Sequence, residues 1–478
     1  MYSRRTLIVA AGCALVLPYL LWQLPVYSSG QLDLDQRCQQ QQNPSTLLIQ
    51  PQPQKRFRVA VASHFGFHFD VYMALVWTLE RVMARPDMQG SVEVFAEQPF
   101  GYQFHQIVDE LRLYRGGAVR SPESLVAEIG TGEIDLVVLG TCEIDLRAEP
   151  SKALLAAWDA RPNSNKFKLV CIVHNIEDTD WQLSIPEWSR RNAIRILPIA
   201  EHVGAAFRRS FLVSADSADP AIRSAGLENV PVDVHVPVLD LAVEANRDRA
   251  RVLANAVIQG SFFSDRRDYH KIFAELNESL AVDPKVWGYL PLQDNEASYR
   301  VDTSLQDPPF RLFLIGSGYI EIPEQLQNVV VIRDGLDYPE FYALMSQMDI
   351  CVPAFSSEHA GEYYDSQASS TFAMAVECDV PILVTERIKK SYTYVDDRRA
   401  VVTRPAAMRE VEALRALRAG DVSYFLRGAG IVADSPTAQT AQRMIRHGWV
   451  RSAEESRAFK ESIWAANERV VERILRDL

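Results

Sequence analysis

Cysteine is scarce in this chain: 6 of 478 residues, none close-spaced, which excludes a disulfide-built scaffold and the paired spacing of a zinc site. Cys142, Cys171, Cys351 and Cys378 lie in or beside apolar runs and read as small core residues. Cys13 sits in an N-terminal apolar segment and Cys38 in a polar tract. Positive charge is also short, with 50 Lys and Arg against 62 Asp and Glu and a net charge of -12. Nucleic-acid binders carry a basic face, so nucleic acid is not an expected partner. Long hydrophobic runs are confined to the N-terminus, which excludes a multi-span membrane protein. With 47% apolar and 23% charged residues, the remainder has the composition of a folded, globular protein.

The one long apolar run follows Arg4 and Arg5. Its uncharged stretch extends from Thr6 to Leu32, with a core from Leu7 to Leu24, and a bilayer requires about 20 such residues. No Lys or Arg follows before Arg37, so the positive-inside rule keeps the N-terminus cytosolic and carries the body across the membrane. The expectation is a cytosolic tail (1–5), a transmembrane signal anchor (6–24) and a Gln- and Pro-rich stem (25–55) too polar to fold. In a eukaryotic cell this is a single-pass type II protein of the endoplasmic reticulum or Golgi, its body in the lumen.

The length suits two domains, each burying its own core. FRVAVAS from Phe57 reads as a buried strand, and Phe69, Tyr72, Met73, Val76, Leu79 and Met83 recur at helical spacing after it. Further short apolar runs lie at Val92–Phe95, Leu136–Leu139, Leu169–Val173 and Ile194–Leu197. After residue 250 the pattern restarts, at Val257–Gln259, Leu312–Ile315, Val329–Ile332, Ile350–Val352 and Ile382–Val384. Continuous apolar strands alternating with helices predict parallel sheets covered on both faces. The fold class is therefore α/β, with two doubly wound Rossmann-like domains (56–240 and 241–452) facing a cleft, preceded by one transmembrane helix. The Pro-punctuated Val232–Asp240 segment suits the connection between them. A closing helix from about Ala453 to Leu478 carries Phe459, Ile463, Val470 and Ile474 on one face, expected to cross back onto the N-terminal domain.

Ligands of such sheets bind at the strands' carboxyl ends. The turn His64-Phe65-Gly66-Phe67-His68 after the first strand offers a glycine and two histidines to an acceptor. Gly260 closes a strand and leads to Arg266 and Arg267 just before a helix at Tyr269, with Asp268 as its N-cap. Guanidinium forks and orphan helix amides both donate to diphosphate oxygens. Gly316 and Gly318 in RLFLIGSG permit a nucleotide to lie against backbone. Glu358, Glu362 and Asp365 are carboxylates on a loop suited to a ribose or sugar, with Ser366, Ser369 and Ser370 close by as hydroxyl and amide donors. His174 ends the strand LVCIV and faces the cleft.

This order of elements resembles the two-Rossmann, GT-B-type glycosyltransferases, and among them the retaining family 4 group, over about residues 56–478. The likeness is most specific in RLFLIGSG, in NVVVIRDGLDYPEFYALMSQMDICVPAF and in AMAVECDVPILVT. The resemblance implies transfer of a sugar from a nucleotide-sugar, here a co-substrate and not a cofactor, to a hydroxyl of a glycan, lipid or protein. It places Arg266 and Arg267 on the donor diphosphate, His174 near the reacting sugar and His235-Val236-Pro237 in the interlobe connection; Glu358, a loop carboxylate out of register with the family's donor-loop glutamates, is the second catalytic candidate. No metal is implied: the one Asp-x-Asp, Asp33-Leu34-Asp35, lies in the stem. The family's second donor-loop glutamate precedes its Ala-Met-Ala, where this chain has Phe372 or Met374. That departure supports the alternative of a catalytically silent glycan- or nucleotide-binding protein on the same scaffold.

Overall fold

The computed structural model describes residues 56–97, 100–242, 251–294, 296–356 and 360–478. The expected tail, anchor and stem lie outside the described residues, and among those described no helix is long and apolar enough to cross a membrane.

Two parallel sheets organise the chain. The first takes β1 (Phe57–Ser63), β2 (Gly90–Ala96), β3 (Leu136–Leu139), β4 (Lys168–Val173) and β5 (Ile194–Pro198) in the order β2-β1-β3-β4-β5. The second takes β6 (Asn255–Gln259), β7 (Arg311–Gly316), β8 (Val330–Asp334), β9 (Ile350–Cys351), β10 (Ile382–Val384) and β11 (Val401–Thr403) in the order β11-β10-β9-β6-β7-β8. Helices cover both faces, which is why these strands are apolar throughout: every residue of β1 except Arg58 is buried. The chain order reverses between β1 and β3 in one sheet and between β6 and β9 in the other. Those are the topological switch points, where strand-end loops splay apart and leave a crevice. The ten strands anticipated from apolar runs are all present. β11 is the additional one, only three residues long and preceded by Arg398 and Arg399.

The segment 231–241 runs between the lobes, with 235–239 buried. His235 Nε2 lies 3.0 Å from Thr78 Oγ1 on the helix Phe69–Met83, and the N–H of Leu239 donates to Glu377 Oε1 at 2.8 Å. The C-terminal helix, Ala453–Arg476, packs on Phe69–Met83 and on this segment. Trp464 meets Trp77 edge-on at 5.2 Å and donates from Nε1 to the Val238 carbonyl at 2.9 Å. Asn467 brackets Val236, accepting its N–H at 3.1 Å and donating to its carbonyl at 2.8 Å.

Two sequence expectations need correction. Cys142 and Cys171 are buried as expected but form a disulfide, with 5.4 Å between Cα atoms. Pairing of β3 with β4 sets Leu139 beside Cys171, and the turn after β3 folds Cys142 back over it, so 29 residues of separation collapse to contact. Cys351 and Cys378 are free and buried. Glu362 and Asp365 are helical, within Ala360–Asp365, not on a loop. That turn forms because Tyr363 buries itself against Phe355, rings 4.8 Å apart and nearly parallel, while Arg387 covers Tyr364.

Candidate active site

Between the lobes lies a cleft of about 650 Å³ lined by strand-end loops of both sheets. On the first lobe, the turn after β1 and the turn after β3 meet the end of β4. The β1 turn is held from beneath by Asp145, whose carboxylate accepts the N–H of His64 at 2.7 Å and of Thr141 at 2.8 Å. Burial nevertheless drives the Asp145 pKa up to about 7. The turn ends at His68, a non-glycine residue in the left-handed region (φ 59°) that starts the helix. Its ring stacks on His174 with centroids 4.2 Å apart.

His174 is positioned by Glu143. The Nδ1 atom lies 3.5 Å from Glu143 Oε2, and Oε1 accepts the N–H of Asn175 at 3.1 Å. Burial works to raise the Glu143 pKa, but the charge and hydrogen bonding of His174 outweigh it and the carboxyl is held below its usual value. Burial, helped by the charge of His174, pushes His68 well below the usual imidazole range, so it is neutral at pH 7. Behind the pair, Asp70 accepts from the Tyr338 hydroxyl of the second lobe at 3.1 Å. Burial raises the Asp70 pKa, against that hydrogen bond.

The second wall is built on glycine. Gly260 has φ 129°, and a Cβ there would meet Arg267 Nη2 at 2.6 Å; one on Gly316 would lie 2.0 Å from the Gly260 carbonyl oxygen. The two turns therefore touch backbone to backbone, tied by donation from Phe262 N–H to the Ser317 carbonyl at 2.8 Å. Arg266 is exposed in the cleft, with Phe263 under its guanidinium. Arg267 also borders the cleft but is buried, donating to the Pro353 carbonyl and, at 2.9 Å, to Thr371 Oγ1. Thr371 in turn donates towards Gln259.

The lobes meet beside His174. Ile176 N–H donates to the Ser366 carbonyl at 3.0 Å and Ala368 N–H to the His174 carbonyl at 2.8 Å. This short antiparallel bridge fixes the loop holding Ser369 and Ser370, which border the cleft, against the end of β4.

Of the residues selected from sequence, His68, His174, Gly260, Arg266, Arg267 and Gly316 come together in the cleft. Gly66 and Gly318 belong to its turns without lining it, Gly318 sitting at φ 121° against Phe262. Glu362 and Asp365 are exposed and Ser366 is buried under the bridge, none of them lining the cleft. Glu358 lies outside the described residues. His64 turns away: its ring nitrogen, with carboxylate oxygens of Glu97 and Glu123, forms a group within 4.8 Å that could hold a metal ion, although both glutamates are exposed. Asp70, Glu143 and Tyr338 are additional. His174 directly follows β4, whereas Glu143 sits inside the helical turn Cys142–Asp145 after β3, so only a search of the whole strand-end loop selects both.

No protein-family model matches the sequence, and neither does any curated protein. Among solved structures, a glycosyltransferase from Rickettsia africae is 11% identical, the alignment covering 86% of this chain and 98% of that one with a TM-score of 0.41. An O-GlcNAc transferase from Thermobaculum terrenum is 14% identical over 90% of this chain and 69% of its own, TM-score 0.42. A UDP-N-acetylglucosamine 2-epimerase is 9% identical over 86% and 95%, TM-score 0.40. The chain is thus similar, over most of its length and at low identity, to glycosyltransferases and to an epimerase.

Proposed function

We propose that this chain is a glycosyltransferase that moves a sugar from a nucleotide-sugar to a hydroxyl acceptor without a metal ion, the donor held by the second lobe and the acceptor by the first. One observation carries this reading: a single cleft joins the switch points of two doubly wound sheets, with close-packed glycine turns and an exposed arginine on one wall and an oriented histidine on the other. The bond from the anomeric carbon to the diphosphate breaks and a bond to the acceptor oxygen forms, the acceptor proton leaving with the departing phosphate. Arg266 and backbone amides of the turns at Gly260 and Gly316 stabilise that phosphate. His174, held by Glu143, hydrogen-bonds the reacting sugar.

In a eukaryotic cell the chain is anchored as a type II membrane protein with this body in the secretory lumen. The Cys142–Cys171 disulfide supports that placement, since such bonds persist in oxidising compartments. Protease protection of the body in sealed microsomes tests it. For the activity, residues 50–478 are screened by thermal shift against UDP-, GDP- and CMP-sugars, because ligands of the folded state raise its melting temperature. The expected result is stabilisation by one nucleotide class together with slow hydrolysis of its sugar. Stabilisation without turnover on any acceptor would identify the silent binding protein instead, and no stabilisation would overturn both readings.

A further inference from the structure

A file of aromatic rings leads from solvent into the cleft. Tyr102 and Phe67 stack with centroids 5.4 Å apart and planes 25° off parallel; Phe67 then meets Phe65 at 5.3 Å, Phe65 meets His68 at 4.8 Å, and His68 lies on His174. The outer two rings are 48% and 49% exposed, unlike the buried Phe69, Phe100 and Phe104 beside them. Exposed hydrophobic residues scattered singly are ordinary, but these two stack on each other and continue as a file of rings to His68 and His174 in the cleft.

The backbone around Tyr102, and at His68 next to Phe67, is held under strain. Phe100, Tyr102 and Gln103 have φ between 54° and 55°, and His68 has 59°, all non-glycine residues in the left-handed region. Such conformations persist only where neighbours dictate them, and they concentrate at ligand sites. The neighbours here are the Phe69, Phe100 and Phe104 cluster and the second lobe's Tyr338, whose N–H donates to the Tyr102 carbonyl at 3.0 Å. The geometry that displays Tyr102 is thus set by packing from both lobes.

Resting on the transferase reading above, we infer that Phe67 and Tyr102 form a stacking platform for a neutral pyranose, so that the acceptor is a glycan. A pyranose presents a C–H face that packs on an aromatic ring and a rim of hydroxyls that needs neutral donors and acceptors. Candidates for both follow Tyr102 in the chain: the exposed Gln103 and Gln106, whose amides are linked by a 2.7 Å hydrogen bond, Gln103 also donating to Asp337. A lipid chain would call for aliphatic neighbours, yet the other exposed residues from Gln103 to Glu110 are Gln103, His105, Gln106, Asp109 and Glu110, all polar. A nucleic-acid base would stack equally well, but the net charge of -12 opposes a polyanion.

The test is saturation-transfer NMR on residues 50–478 with methyl pyranosides and disaccharides of glucose, galactose, mannose and N-acetylglucosamine, with UDP and GDP titrated into the same samples. Phe67→Ala and Tyr102→Ala should each weaken glycoside binding at least fivefold, whereas Tyr102→Phe retains it. Nucleotide affinity and melting temperature should not change in any of the three. Glycosides that bind wild type and both alanine variants alike would overturn the platform, as would nucleotide binding with no glycoside bound. A wild-type protein that binds neither nucleotide nor glycoside would overturn the platform together with the transferase reading.

Discussion

The imidazole of His174 lies 3.5 Å from the buried carboxylate of Glu143, and that carboxylate also accepts the backbone N–H groups of His174 and Asn175. One acidic group thus fixes both the strand end and the ring that projects from it. If His174 contacts the reacting sugar, His174→Ala should lower turnover about 10²-fold, the loss seen when one transition-state hydrogen bond is removed. Glu143→Gln keeps the shape but weakens the hold on the ring, and about a tenfold loss is expected. Donor affinity measured by calorimetry should be unchanged in both variants. Equal losses in affinity and turnover would show that the pair supports the cleft wall and not the reaction.

The adjacent arginines should separate cleanly. Arg266 is exposed in the cleft, so Arg266→Ala should cost nucleotide binding about 1.5–3 kcal/mol, the range for hydrogen bonds to charged groups, with little change in melting temperature. Arg267 is engaged with Pro353 and Thr371, so Arg267→Ala leaves buried polar groups unpaired and should cost about 1–3 kcal/mol of folding stability. Nucleotide titration and urea unfolding of each variant measure both quantities. A stable Arg267→Ala protein with lost nucleotide affinity would reassign that arginine to the donor.

The same pair shows where sequence reading stops. Consecutive residues in a turn point in different directions, and only the packing of Phe355, Thr371 and the Gly260 turn decides which one is buried. Strands were legible because covering a parallel sheet on both faces demands unbroken apolar runs, and β11 was not because its Val401 and Val402 lie between the polar Arg398-Arg399 and Thr403-Arg404. His174 was legible from its strand end; Glu143 lies inside the helical turn after β3 and needed a search of the whole loop. Asp70 with Tyr338 was not, since the two are 268 residues apart and meet only across the lobes. The Cys142–Cys171 bond was hidden for a related reason: close contact in a parallel sheet joins residues separated by a whole crossover.

Acid should weaken the fold through His235. Burial lowers its pKa to about 3, against about 6.5 in an unfolded chain. Above pH 6.5 the ring is neutral in both states; as pH falls towards 3 the unfolded state takes a proton that the folded state refuses, and stability drops. At pH 5 the loss from this one residue is about 2 kcal/mol. His68, also held low, contributes with the same sign. His235→Gln should therefore lose less stability than wild type between pH 7 and pH 5, read by urea unfolding at both values. Parallel losses would mean that His235 gains a proton in the folded state or is not buried.

Lys460 of the C-terminal helix is buried beside Asp379 of the second lobe, with Nζ 2.9 Å from Oδ1, while the same helix packs through Trp464 on Trp77 of the first. The helix therefore touches both lobes, through this buried charge pair on one side and, on the other, through its apolar face and the ion pairs of Glu468 and Glu472 with Arg81 and Arg85. Removing a single partner from such a pair leaves an uncompensated charge, so Lys460→Met should cost about 3–5 kcal/mol. Removing both charges should restore part of that, because no uncompensated buried charge remains. Asn is the appropriate replacement for Asp379, whose φ of 58° lies in the left-handed region that Asn tolerates. Urea unfolding of Lys460→Met, Asp379→Asn and the double variant measures the coupling directly. A single-variant loss below about 1 kcal/mol would place the pair in solvent, since exposed ion pairs contribute no more than that. A double variant no better than Lys460→Met would show that Lys460 acts through its aliphatic stem against the helix interface and not through its charge.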